Sequence, residues 1–400
     1  MTLARFLQAG SAVSRKRSGN YRNTMNDVLL LQILAFPVTA ALIVFFRRHA
    51  VQLGVVDAPG GRKQHHGLIP LVGGLGMFGG LLAVAAAVWA MDAFQPRHAF
   101  FLAAVSLLVA TGYVDDRADL RPRVRFVLQA IAASIMVYGA DIRLDNFGDL
   151  FGFGDVTTGV LAGPITVFAV LGVINAINMI DGVDGLAGGI AGGIALIALL
   201  VFAGFVAAIG QLHTTLLLPL IAGVAGFMLF NLRTPWRPQA LVFMGDAGSV
   251  LLGFSLAWYA VNLAEVRQVF TPITAIWILA VPLMDTTALM IRRVLKGRSP
   301  FAADREHLHH ILLRAGFTPG QTVVVVYAMA TLLAGIGVAG WAAGVPEYVM
   351  FYAFLALFGC YLYGVLHAWK LMKRVRRLHD GMEAIAHHEP HAGEAKPAHD

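Results

Sequence analysis

The sequence holds a single cysteine, Cys360, and it lies inside an apolar run. No disulfide framework is available, and cysteine usage says nothing about redox compartment. Charge is also scarce: Asp, Glu, Lys and Arg make up 13% of the 400 residues, against 58% hydrophobic residues and a mean hydropathy of +0.70. That scarcity excludes an ordinary soluble protein, which could not hide so much apolar surface. There is no long polar stretch to form a soluble domain, and no internal repeat. The N-terminus lacks the long apolar segment of a cleaved signal peptide.

What is present is a series of apolar runs of about 17 to 22 residues, the length that crosses a bilayer as helix. Eleven are expected, at 28–46, 71–91, 98–114, 124–140, 160–177, 187–208, 213–230, 241–261, 269–291, 323–343 and 347–369. The fold class is therefore an all-α polytopic membrane protein. The membrane domain covers 25–371, followed by a basic, His-rich tail at 372–400. Residues 1–24 read as an extension before a natural start at Met25.

The net charge of +7 belongs with basic cytoplasmic loops rather than with nucleic-acid binding. Connections after odd-numbered spans, with the tail, carry 22 Lys and Arg residues, and those after even-numbered spans carry three. The basic side is cytoplasmic, and so is the C-terminus. The other connection of note, 141–159, is acidic, Gly-rich and external.

Five polar segments stand at the ends of these spans. Asn175-Ala-Ile-Asn178-Met-Ile-Asp181-Gly-Val-Asp184-Gly-Leu186 places two Asn and two Asp at a bilayer boundary. Carboxylates are costly there and point to function, and clustered oxygen ligands suit a hard cation and phosphates. Asp115-Asp116-Arg117-Ala118-Asp119 ends span three, with its first and last positions on one helical face. Met244-Gly-Asp246-Ala-Gly-Ser249 places Asp246 about a turn inside span eight, where it needs a partner or a metal. Asp304-Arg305-Glu-His307-Leu-His309-His310 lies in a basic connection and suits phosphate better than zinc. Lys63 and His65, in 62–74, offer cations to an anionic substrate, and the glycines at 73, 74, 76, 79 and 80 allow close helix packing. Asp285, inside span nine, serves either packing or site support. Span parity puts all five segments on one face, which a shared cytoplasmic active site explains with one cause.

In these motifs the chain resembles the polyprenyl-phosphate N-acetylhexosamine-1-phosphate transferases. The carriers are Asp-Asp-x-x-Asp at 115–119, Asn-x-x-Asn-x-x-Asp-Gly-x-Asp-Gly-Leu at 175–186, Met-Gly-Asp-Ala-Gly-Ser at 244–249 and His-Leu-His-His at 307–310. The family's usual last motif is His-Ile-His-His, so Leu308 departs mildly. The stretch His66 to Gly74 looks like the branch that takes N-acetylglucosamine-1-phosphate from its UDP donor to undecaprenyl phosphate.

The resemblance implies Mg²⁺, with Mn²⁺ as the substitute, held by Asn178 and Asp246. It makes Asp115 and Asp116 the catalytic pair that orients or deprotonates the lipid phosphate. Lys63, His65, Asp119, Asp181, Asp184, Arg305, His307, His309 and His310 become substrate-binding residues. The implied partners are a UDP-sugar, undecaprenyl phosphate and the lipid bilayer of a bacterial cytoplasmic (inner) membrane, with a homodimer left open and no nucleic acid. Another UDP-N-acetylhexosamine, or the muramoyl-pentapeptide donor, is the alternative substrate. Two rival classes fit less well. An intramembrane prenyltransferase needs a second Asp-x-x-x-Asp run, and an ion-coupled transporter places its polar residues at the midplane, often in repeated halves.

Overall fold

A computed structural model describes residues 31–57, 67–91, 94–199, 216–234, 236–266, 268–300 and 307–367. Lys63, His65, Arg305, the extension 1–24 and the tail 372–400 lie outside the described residues. In chain order the helices are α1 Leu31–Leu53, α2 Gly73–Ala90, α3 Pro96–Ala118, α4 Pro122–Ser134, α5 Gly159–Ile180, α6 Leu186–Leu199, α7 Leu217–Asn231, α8 Gly245–Val266, α9 Pro272–Ile278, α10 Ala280–Leu295, α11 Leu308–Arg314, α12 Pro319–Ala342 and α13 Glu347–Leu366. Their starts follow local chemistry. Pro occupies the first turn of α3, α4, α9 and α12, where its missing N–H costs nothing. Thr318 and Gln321 form a capping box that begins α12.

Among the described residues seven helices, α1, α2, α3, α5, α8, α12 and α13, are long and apolar enough to cross a bilayer. An eighth span forms if α9 and α10, bent by 82° at their junction, are taken together. The chain is thus an all-α polytopic membrane protein. The described parts of the expected spans at 124–140, 187–208 and 213–230 fall on α4 with its π-helical extension Ile135–Gly139, on α6, and on the shorter α7, while 200–215 lie outside the described residues. The count of eleven does not follow from helix length alone.

The bundle is built around α8. Its most apolar stretch is 94% buried, against 11% for α13, so α8 is the axis and α13 a lipid-facing flank. Trp89 and Phe168 are 68% and 78% exposed on other spans, a surface that only lipid covers comfortably. Glycine sets how closely the neighbours approach α8. A Cβ at Gly74 of α2 would lie 2.2 Å from the backbone nitrogen of Gly248, and one at Gly112 of α3 would lie 2.4 Å from Ala247 Cα. The expected role of the glycine-rich start of α2 is therefore met by backbone-to-backbone contact.

A small hairpin tethers this end of the bundle. Strands β1 Val56–Asp57 and β2 Ile69–Pro70 pair antiparallel. The chain after β2 then bonds to the segment leading into α8: Phe243 N donates to Pro70 O, Gly73 N to Phe243 O and Gly74 N to Met244 O. Asp57 is the buried last residue of β1.

Candidate active site

The start of α8 and the end of α3 meet at Gly245. Its φ of 73° lies in the left-handed region, and a Cβ there would fall 2.6 Å from Asp116 Oδ2. The turn aims the first amides of α8 at Asp116: Asp246 N donates to Oδ1 at 2.8 Å and Ala247 N to Oδ2 at 3.3 Å. A carboxylate at a helix N-terminus satisfies donors the helix cannot, and it meets the positive end of the helix dipole.

Asp115, one residue earlier, is buried and otherwise engaged. Arg125 Nη1 of α4 donates to its Oδ2 at 2.6 Å, and Leu120 N donates to Oδ1 at 2.8 Å. The same Arg125 nitrogen lies 3.8 Å from Asp246 Oδ2. From α5, Asn178 Nδ2 donates to Asp246 Oδ1 at 2.6 Å and to Ser249 Oγ at 2.8 Å. Four helix ends therefore converge on Asp246. The sequence motifs at 115–119, 175–186 and 244–249 form one cluster, with a small cavity behind it lined by Thr111, Gln129 and Asn175. Asp119 closes α3 in a left-handed conformation, with φ of 48°, and is exposed.

The loop after α5 is held from several sides. Asp184 Oδ2 accepts from Arg233 Nε at 2.8 Å and from Ala240 N at 3.1 Å. Gly185 N donates to Asn231 Oδ1 at 2.7 Å, and Asn231 in turn donates to Val242 O. Tyr327 of α12 donates its hydroxyl to Gly185 O. Asp184 is thus an anchor of the loop. Asp181 is left open to solvent at the mouth of the cluster.

The histidines pack beside this loop. His309 is 2% exposed, and neither ring nitrogen has a hydrogen-bond partner. A Cβ at Gly182 would lie 2.4 Å from His309 Nε2, so the glycine makes room for the ring. The rings of His307 and His309 stack at 5.7 Å and 7°, and His310 lies 4.2 Å from His309. Burial, then His310 and His307, push the His309 imidazole down to about 3, so it is neutral at pH 7. An unpaired neutral ring in this position suits a hydroxyl or amide better than it supplies a cation to phosphate.

The donors around Asp246 fit a hard cation. Carboxylate and amide oxygens predominate, with no thiolate or imidazole among them. Asn178 commits its NH₂ to Asp246 and Ser249, which leaves its carbonyl oxygen as its remaining ligand atom. Among the described residues no set of three or more His, Cys, Asp or Glu is arranged to hold an ion by itself. An ion bound here takes further ligands from water and substrate, the usual habit of Mg²⁺.

Sequence reasoning missed several members. Arg125 entered only as a loop charge, although it lies ten residues after Asp115 on the next helix and bridges two of the carboxylates. Ser249 was part of a motif without a role. Asn231 and Tyr327 gave one signal each, a polar side chain in an otherwise apolar helix.

Residues 98–264 match glycosyl transferase family 4. The chain is 38% identical over 356 residues to the undecaprenyl-phosphate alpha-N-acetylglucosaminyl 1-phosphate transferases of Salmonella typhi and Escherichia coli K12, covering 86% of this chain and 93% of each relative. The enzyme of that name from Haemophilus influenzae is 38% identical over 347 residues, which cover 84% of this chain and 93% of the relative.

Proposed function

The chain belongs to glycosyl transferase family 4, and from that premise we propose that it moves N-acetylglucosamine-1-phosphate from UDP-N-acetylglucosamine to undecaprenyl phosphate, releasing UMP. The observation that carries this reading is the convergence of Asp115, Asp116, Arg125, Asn178 and Asp246 at one end of an apolar bundle. Such a site sits where a lipid-borne phosphate and a water-borne nucleotide can meet. The charge asymmetry of the loops supports a cytoplasmic orientation in a bacterial inner membrane, with α4, α6 and α7 completing eleven spans.

The reaction brings two anions together, so charge control is the main demand. A phosphate monoester has a second pKa of about 6 and is mostly dianionic at neutral pH, so it needs no strong base. Its oxygen attacks the sugar-linked phosphorus of the donor. The bond from that phosphorus to the bridging oxygen breaks, and UMP departs with the bridging oxygen and its electron pair. Arg125 is placed to draw the lipid phosphate toward Asp246, and Asp115 fixes the guanidinium for that task. Asp116 holds the first turn of α8, and so Asp246, in place.

Asn178 and Asp246 are the proposed Mg²⁺ ligands, with Asp181 at the mouth as a further oxygen. A bound Mg²⁺ supplies charge neutralisation to the diphosphate and to the departing UMP. Direct attack is favoured over a phospho-aspartyl route because both early carboxylates are spoken for: Asp115 by Arg125 and Leu120, Asp116 by two amides. His309 and the loop 181–186 line the side proposed for the sugar. The test is UMP release by membranes carrying the protein, measured with a panel of UDP-sugars. Release is expected to require undecaprenyl phosphate and a divalent cation, and to be fastest with UDP-N-acetylglucosamine. Equal rates without the lipid phosphate would overturn the reading.

A further inference from the structure

Asp285 sits in α10, just past the 82° bend, and is 1% exposed. A carboxylate inside a membrane protein is costly unless its oxygens are filled. Here both are. Oδ2 lies 2.9 Å from His307 Nδ1, while Oδ1 accepts from Leu308 N at 3.0 Å and from the Tyr361 hydroxyl at 2.7 Å. These three partners come from two places: the N-cap and first residue of α11, and the lipid-facing helix α13. All three lie beyond the stretch 98–264 that matches the family.

An ionised carboxylate has no proton to offer, so His307 Nδ1 is the donor in this pair. That fixes the tautomer and leaves Nε2 as the ring's other working atom. The bond from Leu308 N to the same carboxylate fixes the backbone that carries the ring. His307 then stacks on His309, which lies against Gly182 of the site loop. A continuous set of contacts thus runs from Tyr361 through Asp285 and His307 to the loop bearing Asp181 and Asp184.

We propose that Asp285 is a positioning residue for the transfer reaction, and that with Tyr361 it holds the His307 imidazole in one tautomer and one orientation beside the donor substrate. This rests on the transferase reading above. Packing alone would be served by an apolar residue at 285. Directed hydrogen bonds to one imidazole, one amide and one hydroxyl define a direction that packing does not need. The logic is that of a carboxylate orienting a catalytic imidazole, where replacing Asp by Asn keeps the shape and disturbs the tautomer.

The experiment compares wild type, Asp285→Asn, Tyr361→Phe and Asp285→Glu as full chains in detergent or bilayers. Wild-type transfer is measured first, so failure of the transferase reading would show there, before any variant is considered. Asp285→Asn is expected to lower kcat about 100-fold, within the range for losing an oriented proton-bearing group, with KM for undecaprenyl phosphate unchanged. Tyr361→Phe removes one hydrogen bond to the same carboxylate and is expected to lower kcat about 5-fold. Asp285→Glu should recover part of the loss.

Imidazole ¹⁵N chemical shifts of the folded chain give a second reading that does not depend on activity. The His307 signals, identified by their loss in His307→Ala, should report an Nδ1–H ring in wild type and a changed tautomer in Asp285→Asn. A wild-type kcat in Asp285→Asn, an unchanged tautomer, or a kcat loss fully explained by lower thermal stability would each overturn the proposal.

Discussion

Replacing Gly74 by Ala tests whether the position of Asp246 depends on backbone contact between α2 and α8. The added Cβ would fall 2.2 Å from Gly248 N, 2.6 Å from Gly248 Cα and 2.7 Å from the Ala247 carbonyl carbon. Carbon contacts settle at about 3.5 to 4.0 Å, so the two helices must part by roughly 1.3 Å. The obstructing atoms are backbone, and no side chain can swing away. Overpacking of this kind costs about 1 to 3 kcal/mol. The displaced atoms follow Asp246 directly, and a misplacement of about 1 Å at a reacting centre costs on the order of 100-fold in rate. Gly172→Ala on α5 is the control, because a Cβ there meets nothing within 4 Å. Thermal unfolding in detergent and the rate of UMP release are the assays. The expected outcome is a Tm lowered by a few degrees and kcat lowered about 100-fold for Gly74→Ala, with Gly172→Ala unchanged. Wild-type kcat and Tm in Gly74→Ala would refute the argument that glycine packing sets the site.

Asp246→Asn keeps the shape and the hydrogen-bonding reach toward Asn178 while removing one charge from a crowded acidic cluster. Transfer should fall at least about 1,000-fold, as expected for losing a charge-stabilising site, while Tm holds or rises; near-normal activity at saturating Mg²⁺ would refute the ligand role. His309 is held neutral with its pKa near 3, below the ordinary 6.5, so the unfolded chain takes a proton that the folded chain refuses. Its contribution to stability is complete above pH 6.5 and declines as pH falls, by about 2 kcal/mol at pH 5. Melting curves from pH 7.5 to 5 should show this decline, and His309→Gln should flatten it. Asn231→Leu leaves Gly185 N and Val242 O without their partner. KM for the UDP-sugar should rise about 10-fold, the scale of one or two lost buried hydrogen bonds, with a smaller change in KM for the lipid.

Much of this architecture was legible because membrane spans and boundary carboxylates are strong signals. The motifs at 115–119, 175–186 and 244–249 could be joined before their contacts were known, since span parity puts them at one end. Their internal division of labour was not legible. Asp116 looks as catalytic as Asp115 in sequence, but its two oxygens bind the first amides of α8. That depends on Gly245 adopting a positive φ, which sequence suggests only weakly. Asp184 likewise turns out to be tied to Arg233 and Ala240, partners some fifty residues away. Arg125 was hidden by its setting, because a basic residue in a cytoplasmic loop is ordinary by the positive-inside rule. Span counting also met a limit at α9 and α10, where one apolar run folds as two helices at 82°. That bend sets Asp285 beneath His307, a pairing across 22 residues that periodicity cannot reveal.

The central claim is that a phosphosugar moves, rather than a sugar alone. The most direct measurement uses UDP-N-acetylglucosamine labelled in its β-phosphate, incubated with the protein, undecaprenyl phosphate and Mg²⁺. The account predicts label in the lipid fraction and unlabelled UMP in water, both lost in Asp246→Asn. Label recovered in UDP, with unlabelled sugar on the lipid, would contradict it.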